Sequence, residues 1–457
     1  MFAVSESVIM VLIFRLLWCS EMGCDGEIVY RVYRDGDEVG IVEVLRKCFS
    51  GFDRFKLDAE TWLSYKVDYG FKTDYSLVAE VDGKIVGHVQ LILRRLKLGR
   101  DYVNVGGIAN VSTDPEYRGR GIATNLMRMA TDLCRKEGIH LSALMTSYGY
   151  VAHRIYRRLG YADTYFAQRF VGEREEVERV IKEIGDVRGV VVREFEEEDL
   201  LMVMRLYNAF SEGYSGVAWR DADYWRNKIV NKRFGTTWIF DEEGSEFLVV
   251  EKDGKVSGYS YFAIGSRCKR APIGRERGVL IELVAGDGRS LRALLVESLR
   301  RMLEANVKTF ELYLPPYEPY RSLLRGFPLF VERGVYMSNV VNLRGLIEEC
   351  VPSFNQFLEE CDREFNIRMG LRSRYGDVVL VIKGNEVIVE DGKADVVFEI
   401  NYHTFTRMVH FIEDVVKAFL DGRINVVKSM VSLREALQCL EVLFPRMRFF
   451  IWSVDHW

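Results

Sequence analysis

The run Leu77-Val78-Ala79-Glu80-Val81-Asp82-Gly83-Lys84-Ile85-Val86-Gly87 returns, nearly letter for letter, as Leu248-Val249-Val250-Glu251-Lys252-Asp253-Gly254-Lys255-Val256-Ser257-Gly258. An Asp-Gly pair between alternating apolar residues signals a two-residue hairpin turn, because both turn positions need positive φ. Each hairpin follows the same lead-in. Arg31-Val32-Tyr33-Arg34-Asp35-Gly36-Asp37 opens a helical pattern ending near Phe49, and Arg193-Glu194-Phe195-Glu196-Glu197-Glu198-Asp199 opens one ending near Phe210. Matching elements at an offset of roughly 160 to 170 residues mark an internal duplication, so the chain is constrained to two copies of one unit. The length of 457 residues exceeds a single core, and 48% apolar with 28% charged residues is a globular composition.

The copies part where chemistry would sit. In the first, an apolar strand runs through Val111, Ser112 and Thr113 into Asp114-Pro115-Glu116-Tyr117, and then Arg118-Gly119-Arg120-Gly121-Ile122-Ala123-Thr124 opens a helix. The glycines allow close backbone approach, the first-turn N–H groups lack helical partners, and the helix dipole with two arginines supplies positive charge. Such a turn cradles an anion. Leu126, Met129, Ala130 and Leu133 form the expected inner face of this helix, with Arg128, Asp132, Arg135 and Lys136 largely elsewhere. A Walker loop would need Lys-Ser or Lys-Thr after its last glycine, and a dinucleotide fingerprint a different first half. In the second copy, Gly278 to Val284 leads into Ala285-Gly286-Asp287-Gly288-Arg289, where Asp287 sets negative charge at the phosphate position. That copy is expected to keep the fold and lose the anion site.

From about Val341 the pattern changes to a third, α+β unit. A helix is expected with Phe354, Phe357, Leu358 and Cys361 on one face, then strands at Val378 to Ile382 and Val387 to Val389 joined by Gly384-Asn385, a strand at Val396 to Ile400, and a helix through His403 to Phe419. The chain finishes on Phe449-Phe450-Ile451-Trp452-Ser453-Val454-Asp455-His456-Trp457, too apolar for a solvated tail, so it is expected to dock on protein.

A net charge of -4 argues against nucleic acid as a general partner. Eight cysteines with no C-x-x-C pair and no nearby histidine cluster point to reduced thiols in a cytoplasmic protein without a metal site. Val8 to Cys19, apolar apart from Arg15, is too short for the roughly 20 residues a bilayer span needs, so residues 1–26 read as an extension without stable membrane insertion. His88, His140 and His153 show no ligand or triad spacing and read as structural.

The order Arg118-x-x-Gly121-x-Ala123 after Val111 and Pro115 resembles the acyl-CoA motif of the GNAT N-acetyltransferase superfamily. The whole chain resembles the enhanced-intracellular-survival (Eis) family, which implies an α/β (α+β) fold class of two tandem GNAT folds followed by a sterol-carrier-protein-like domain. The implied bounds are a catalytic GNAT domain at 27–172, a degenerate one at 173–340 and the sterol-carrier-like domain at 341–457. Ile155-Tyr156-Arg157-Arg158-Leu159-Gly160-Tyr161 is similar to the family's Ile-Tyr-x-x-Phe-Gly-Tyr run, which makes Tyr156 the general acid by resemblance, and the carboxylate of Trp457 the general base. That carboxylate either accepts the proton through a raised pKa or a water relay, or only orients the incoming ammonium. The resemblance assigns acetyl-CoA as cosubstrate to Val111, Ser112, Thr113, Arg118, Gly119, Arg120, Gly121, Ile122, Ala123 and Thr124. Val151-Ala152-His153-Arg154 departs from the family's Ser-Glu-Gly-Gly and carries no assignment. Arg154, Arg157 and Arg158 read as a solvated face or a contact for the 3′-phosphate of CoA. Also implied are a primary-amine acceptor, whether protein lysine or a small molecule such as an aminoglycoside, and a homo-oligomer, a hexamer in the family. The competing class is lipid or apolar-ligand binding by the third unit.

Overall fold

The structure, a computed structural model, describes residues 26–50, 52, 57–64, 68, 70–230, 244–268 and 274–455, the side chain of Lys228 excepted. Most of the N-terminal extension and the terminal Trp457 lie outside the described residues.

The first copy comprises β1 (Val29–Val32), α1 (Asp37–Cys48), α2 (Ala59–Ser64), β2 (Phe71–Val81), β3 (Lys84–Leu98), β4 (Asp101–Thr113), α3 (Ile122–Lys136), β5 (Leu141–Ser147), α4 (Val151–Arg158) and β6 (Ala162–Glu173). The helix α5 (Arg174–Ile184) leads to the second copy: β7 (Val191–Glu194), α6 (Leu200–Ser211), β8 (Ser245–Lys252), β9 (Lys255–Ile264), β10 (Arg277–Ala285), α7 (Gly288–Glu304), β11 (Thr309–Leu312), α8 (Tyr320–Leu323) and β12 (Leu329–Val340). The repeat is physical as well as textual. Asp82 and Gly83 turn at φ 49° and 80°, Asp253 and Gly254 at 53° and 72°. Arg31 bridges Asp37 and Glu80, while Arg193 bridges Asp199 and Glu251 in the same arrangement.

All twelve strands form one sheet in the order β1-β2-β3-β4-β5-β12-β6-β11-β10-β9-β8-β7. The order is pseudo-symmetric about its centre, where the copies exchange strands: β12 pairs with β5 of the first copy, and β6 pairs with β11 of the second. The sheet therefore runs straight across the boundary expected at residue 172. Each copy completes the other, because withdrawing either central strand would leave a long hydrogen-bonding edge open.

The helix after the cradle buries Ile122, Leu126, Met127, Ala130 and Cys134. Its inner face is thus rotated from the expected one, with Met129 and Leu133 only half-buried at its margin.

The third unit has α9 (Leu343–Glu359), β13 (Phe365–Ser373), β14 (Gly376–Gly384), β15 (Glu386–Glu390), β16 (Val396–Ile400), α10 (Tyr402–Val409), α11 (Val415–Leu420), β17 (Ile424–Ser429) and α12 (Leu433–Leu443), its sheet ordered β15-β14-β13-β16-β17. Three expectations need correction. Cys361 lies beyond the end of α9, strands β13 and β17 add to those expected, and the helix expected from His403 to Phe419 is two helices. Phe411 at φ 58° breaks it, and Asp414 then caps a new helix by accepting from the Lys417 N–H. This unit shares its core with the first copy: Leu96, Leu98, Val103 and Val105 join Leu346, Cys350 and Phe354 in one cluster. Ser353 Oγ accepts from the Arg100 and Asp101 N–H groups at 2.9 and 3.1 Å.

Two buried histidines make stability depend on pH. Burial pulls the imidazole of His88 down to about 3 and that of His410 to about 4. In the unfolded chain both titrate near pH 6.5, so below that value the unfolded state binds protons the native state refuses. Stability is therefore full above about pH 6.5 and drains as pH falls, by an amount on the order of several kcal/mol at pH 4. The melting temperature should drop across this window, and His410→Gln should flatten the profile. A melting temperature independent of pH between 7 and 4.5 would contradict this account.

Candidate acyl-CoA site

The first copy opens its sheet at one place. β4 and β5 pair in parallel from Val105 with Leu141 to Ile108 with Leu144. Beyond that point β5 follows β12, pairing Met145 with Tyr336 and Ser147 with Gly334, while β4 stays on β3. β4 carries an extra residue there, since Gln90 faces Ala109 but His88 faces Ser112, and Asn110 sits at φ 57°. The bulge twists β4 away from β5 and leaves residues 109–113 without a ladder partner on the β5 side among the described residues. At the end of this edge Thr113 Oγ1 is buried with no hydrogen-bond partner among the described residues.

The cradle follows directly. Asp114 is 1% exposed and caps a short turn by accepting from the Glu116 N–H at 3.2 Å, while Lys47 Nζ reaches it at 2.8 Å and Lys84 Nζ at 3.4 Å. Burial works against its charge, but the Lys47 ammonium and the Glu116 amide hold the Asp114 carboxyl below the usual carboxylate range. With this anchor in place, Arg118, Gly119, Arg120 and Gly121 stand exposed. Gly119 and Gly121 take φ 81° and 79°, and a Cβ on either would meet nothing within 4 Å, so the space over this backbone is open. The first helical bond of α3 runs from Asn125 N–H to Gly121 O, and no side chain caps the helix. The N–H groups of Ile122, Ala123 and Thr124 thus remain without partners among the described residues. Arg118 Nε reaches Thr113 O at 3.4 Å, and Arg120 lies over the Tyr117 ring at 5.2 Å. Open amides, a helix N-terminus and two guanidinium groups fit a diphosphate.

Tyr156 projects from α4 into the apolar cluster that includes Ile108 and Leu144, the last pair before the split, with Val111 packed against it. It is 6% exposed, its ring lies 6.0 Å from that of Tyr161, and its hydroxyl has no hydrogen-bond partner among the described residues. Burial pushes its pKa well above the ordinary phenol value, so it keeps its proton at neutral pH. Two neighbours are committed elsewhere: Tyr161 OH bonds Ser142 Oγ at 2.6 Å, and His153 Nε2 bonds Asp163 Oδ1 at 2.7 Å. The structure thus brings Tyr156 and Val111 to Thr124 to one opening, while Trp457 lies outside the described residues. Arg154, Arg157 and Arg158 are exposed on the far face of α4, where Arg157 donates to His403 Nε2 at 3.3 Å.

The second copy shows the same split, closed by its own side chains. β10 and β11 pair from Arg277 with Thr309 to Leu280 with Leu312, and β10 bulges between Leu280 and Glu282. Asp287 occupies the cap position held by Gly121 in the first copy, and its carboxylate accepts from the Arg289 and Ser290 N–H groups at 2.9 and 3.1 Å. Tyr320 donates to Leu283 O at 2.6 Å, on the strand equivalent to β4. The amides a diphosphate would use are spent.

One feature has no local signature in the sequence. Arg220, Glu282 and Asp455, widely separated in the chain, form a fully buried ionic cluster. No group of three or more His, Cys, Asp or Glu side chains suited to a metal occurs among the described residues, and no helix among them is long and apolar enough to cross a membrane.

The chain resembles known acetyltransferases in sequence and in fold. Residues 29–163 match the sequence profile of the acetyltransferase (GNAT) domain. The chain is 29% identical over 125 residues to an uncharacterised N-acetyltransferase of Methanocaldococcus jannaschii, a match covering 27% of this chain and 55% of that protein, so it spans about half the length of that relative. A GCN5-related N-acetyltransferase from Kribbella flavida superposes with a TM-score of 0.68 at 17% identity, over 94% of this chain and 98% of its own. Eis1 from Mycobacterium abscessus superposes with a TM-score of 0.60 at 14% identity, over 94% of this chain and all (100%) of its own. At these identities the structural likeness is one of fold, and it extends over the third unit as well as the first two. Residues 29–163 thus carry the sequence pattern of a GNAT acetyltransferase domain, which supports an acyltransferase whose fold implies acetyl-CoA as cosubstrate.

Proposed function

We propose that this chain is an acetyl-CoA-dependent N-acetyltransferase acting on primary amines, either lysine side chains of a protein or amine-bearing small molecules such as aminoglycosides. The observation that carries the reading is the contrast between the copies: unpartnered amides and glycines at residues 119–124 in the first, against Asp287 bonded to the matching amides in the second. The diphosphate rests on the cradle, the pantetheine follows the free edge of β4, and the thioester lies at the bulge.

The amine nitrogen attacks the thioester carbon, and the oxyanion is met by a backbone N–H of the bulged edge near Val111 to Thr113. The C–S bond then breaks, acetamide forms, and the sulfur leaves as thiol. Tyr156 is the donor at that sulfur. Its buried phenol stays protonated, and its hydrogen bond strengthens as negative charge grows on the leaving group. The proton the nitrogen releases after attack restores the one Tyr156 gives to sulfur, and before attack the nitrogen must shed another, since an alkyl amine of pKa near 10 arrives mostly charged. By resemblance to the Eis family, the carboxylate of Trp457 accepts that proton or orients the ammonium. By the same resemblance the third unit, whose sheet has five strands, is sterol-carrier-like. The assembly is a homo-oligomer, a hexamer on the same resemblance, working in the cytoplasm.

Two measurements test the activity. Titration calorimetry should record acetyl-CoA binding at one site per chain, and a panel of amines should release free thiol from acetyl-CoA. No heat, or no thiol with any amine, would end this reading.

A further inference from the structure

Opposite the cradle the split has a second rim, and it is aromatic. Beyond its last pair with β4, β5 ends at Ser147, and Tyr148, Gly149 and Tyr150 form the turn that opens α4. Tyr148 is 49% exposed and Tyr150 59%, and among the described residues the only other aromatic side chain so open is Phe330. The rim is nevertheless fixed in place. The Tyr148 ring lies 4.8 Å from that of His153 and 5.5 Å from that of Phe166, and its N–H donates to Arg333 O at 2.7 Å. Gly149 N–H donates to His153 Nδ1 at 3.4 Å, and His153 is held in turn by Asp163. Gly149 takes φ 81°, and a Cβ there would meet nothing within 4 Å, so no protein atom crowds the turn between the two tyrosines.

The strand register sets the height of this rim. Ile108 pairs with Leu144 just before the split, and the bulge adds one residue to β4, so Thr113 and Tyr148 stand level on opposite sides of the opening. The cradle continues directly from Thr113. A diphosphate on the cradle therefore has the tyrosines across the mouth from it. Coenzyme A carries one group on each side of that diphosphate: the pantetheine enters the split, which leaves the adenosine to come out over the rim. Adenine offers a flat π face, and a base stacks on an aromatic ring without needing a hydrogen bond. Charge agrees with this occupant. One helical turn on, where Arg154 N–H donates to Tyr150 O at 3.3 Å, the Arg154 side chain is exposed and suits a phosphate-bearing nucleoside.

We propose that Tyr148 and Tyr150 form a stacking platform for the adenine of acetyl-CoA, a subsite by which the chain selects the nucleotide end of its cosubstrate as well as the thioester. This inference rests on the reading of the chain as an acetyl-CoA-dependent acyltransferase. It gives the two exposed rings an occupant and leaves Tyr156, one face of α4 away, to the sulfur.

The test compares, by titration calorimetry on the full chain, acetyl-CoA with an abasic acetyl-CoA in which hydrogen replaces the adenine and the diphosphate is kept. The parent chain should prefer acetyl-CoA by about fivefold to a hundredfold, the range of one base stacked on an aromatic side chain. With Tyr148→Ala and Tyr150→Ala combined, the two ligands should bind within about twofold of each other. Tyr148→Phe with Tyr150→Phe should keep the preference, because the contact is made by the ring. A thermal melt checks the fold, and if the double alanine change fails it, Tyr150→Ala alone takes its place, since that side chain is the more exposed of the two. Equal affinities in the parent chain, a preference that survives the alanine changes, or one lost in the phenylalanine pair would overturn the platform while the acyltransferase reading stands. No heat from either ligand with the parent chain would end that reading, and the platform with it.

Discussion

Tyr156→Phe is expected to lower kcat by about 10²- to 10⁴-fold, the range removed with a positioned proton donor, while acetyl-CoA affinity changes by no more than about twofold. The change deletes one oxygen that has no hydrogen-bond partner among the described residues, so no native interaction is lost with it. The ring still fills its place against Ile108 and Leu144. Stability should hold, because the change removes no protein hydrogen bond and the hydroxyl is not sealed from solvent. The loss should shrink with thioesters whose thiols are more acidic, since these leave without help. Wild-type turnover in the variant, or a loss independent of the leaving group, would remove Tyr156 from the role of donor.

Gly121→Asp should cost at least about 10²-fold in acetyl-CoA affinity while leaving the fold intact. The substitution recreates in the first copy what the second already has, a carboxylate at the cap position of the helix after the split. The left-handed backbone at φ 79° penalises a side chain by about 1 to 2 kcal/mol, and no cap offsets this, since Asp287 caps from extended backbone at φ -149°. The effect on binding is larger. The carboxylate sets negative charge against the diphosphate, within a space where a Cβ meets no protein atom within 4 Å. Calorimetry on the variant, with a thermal melt as control, reads both quantities. Unchanged affinity would mean the diphosphate lies elsewhere.

The Asp-Gly hairpins, the two lead-in helices, the glycine turn of residues 118–124 and the aspartate that replaces it in the second copy are all legible in the order of the residues. Each depends on neighbours within a few positions: a turn that needs positive φ, a face repeating every three or four residues, or a glycine before an uncapped helix. The same locality explains the misses. A helix from His403 to Phe419 satisfies the periodicity, and only packing around Phe411 shows that it must break. The orphaned Oγ1 of Thr113 and the bulge at Asn110, which leave a strand end open, depend on which strands stand on either side.

Residue order shows a repeated hairpin with its lead-in helix, a glycine turn before an uncapped helix in the first copy, and an aspartate at the matching position in the second. The packed molecule adds that the copies exchange their central strands into one sheet and that Arg220, Glu282 and Asp455 meet. The cause of the division is range. Backbone torsions and side-chain periodicity are written between near neighbours, whereas strand order and buried charge pairing are selected among distant segments by the requirement that every interior edge and charge be satisfied.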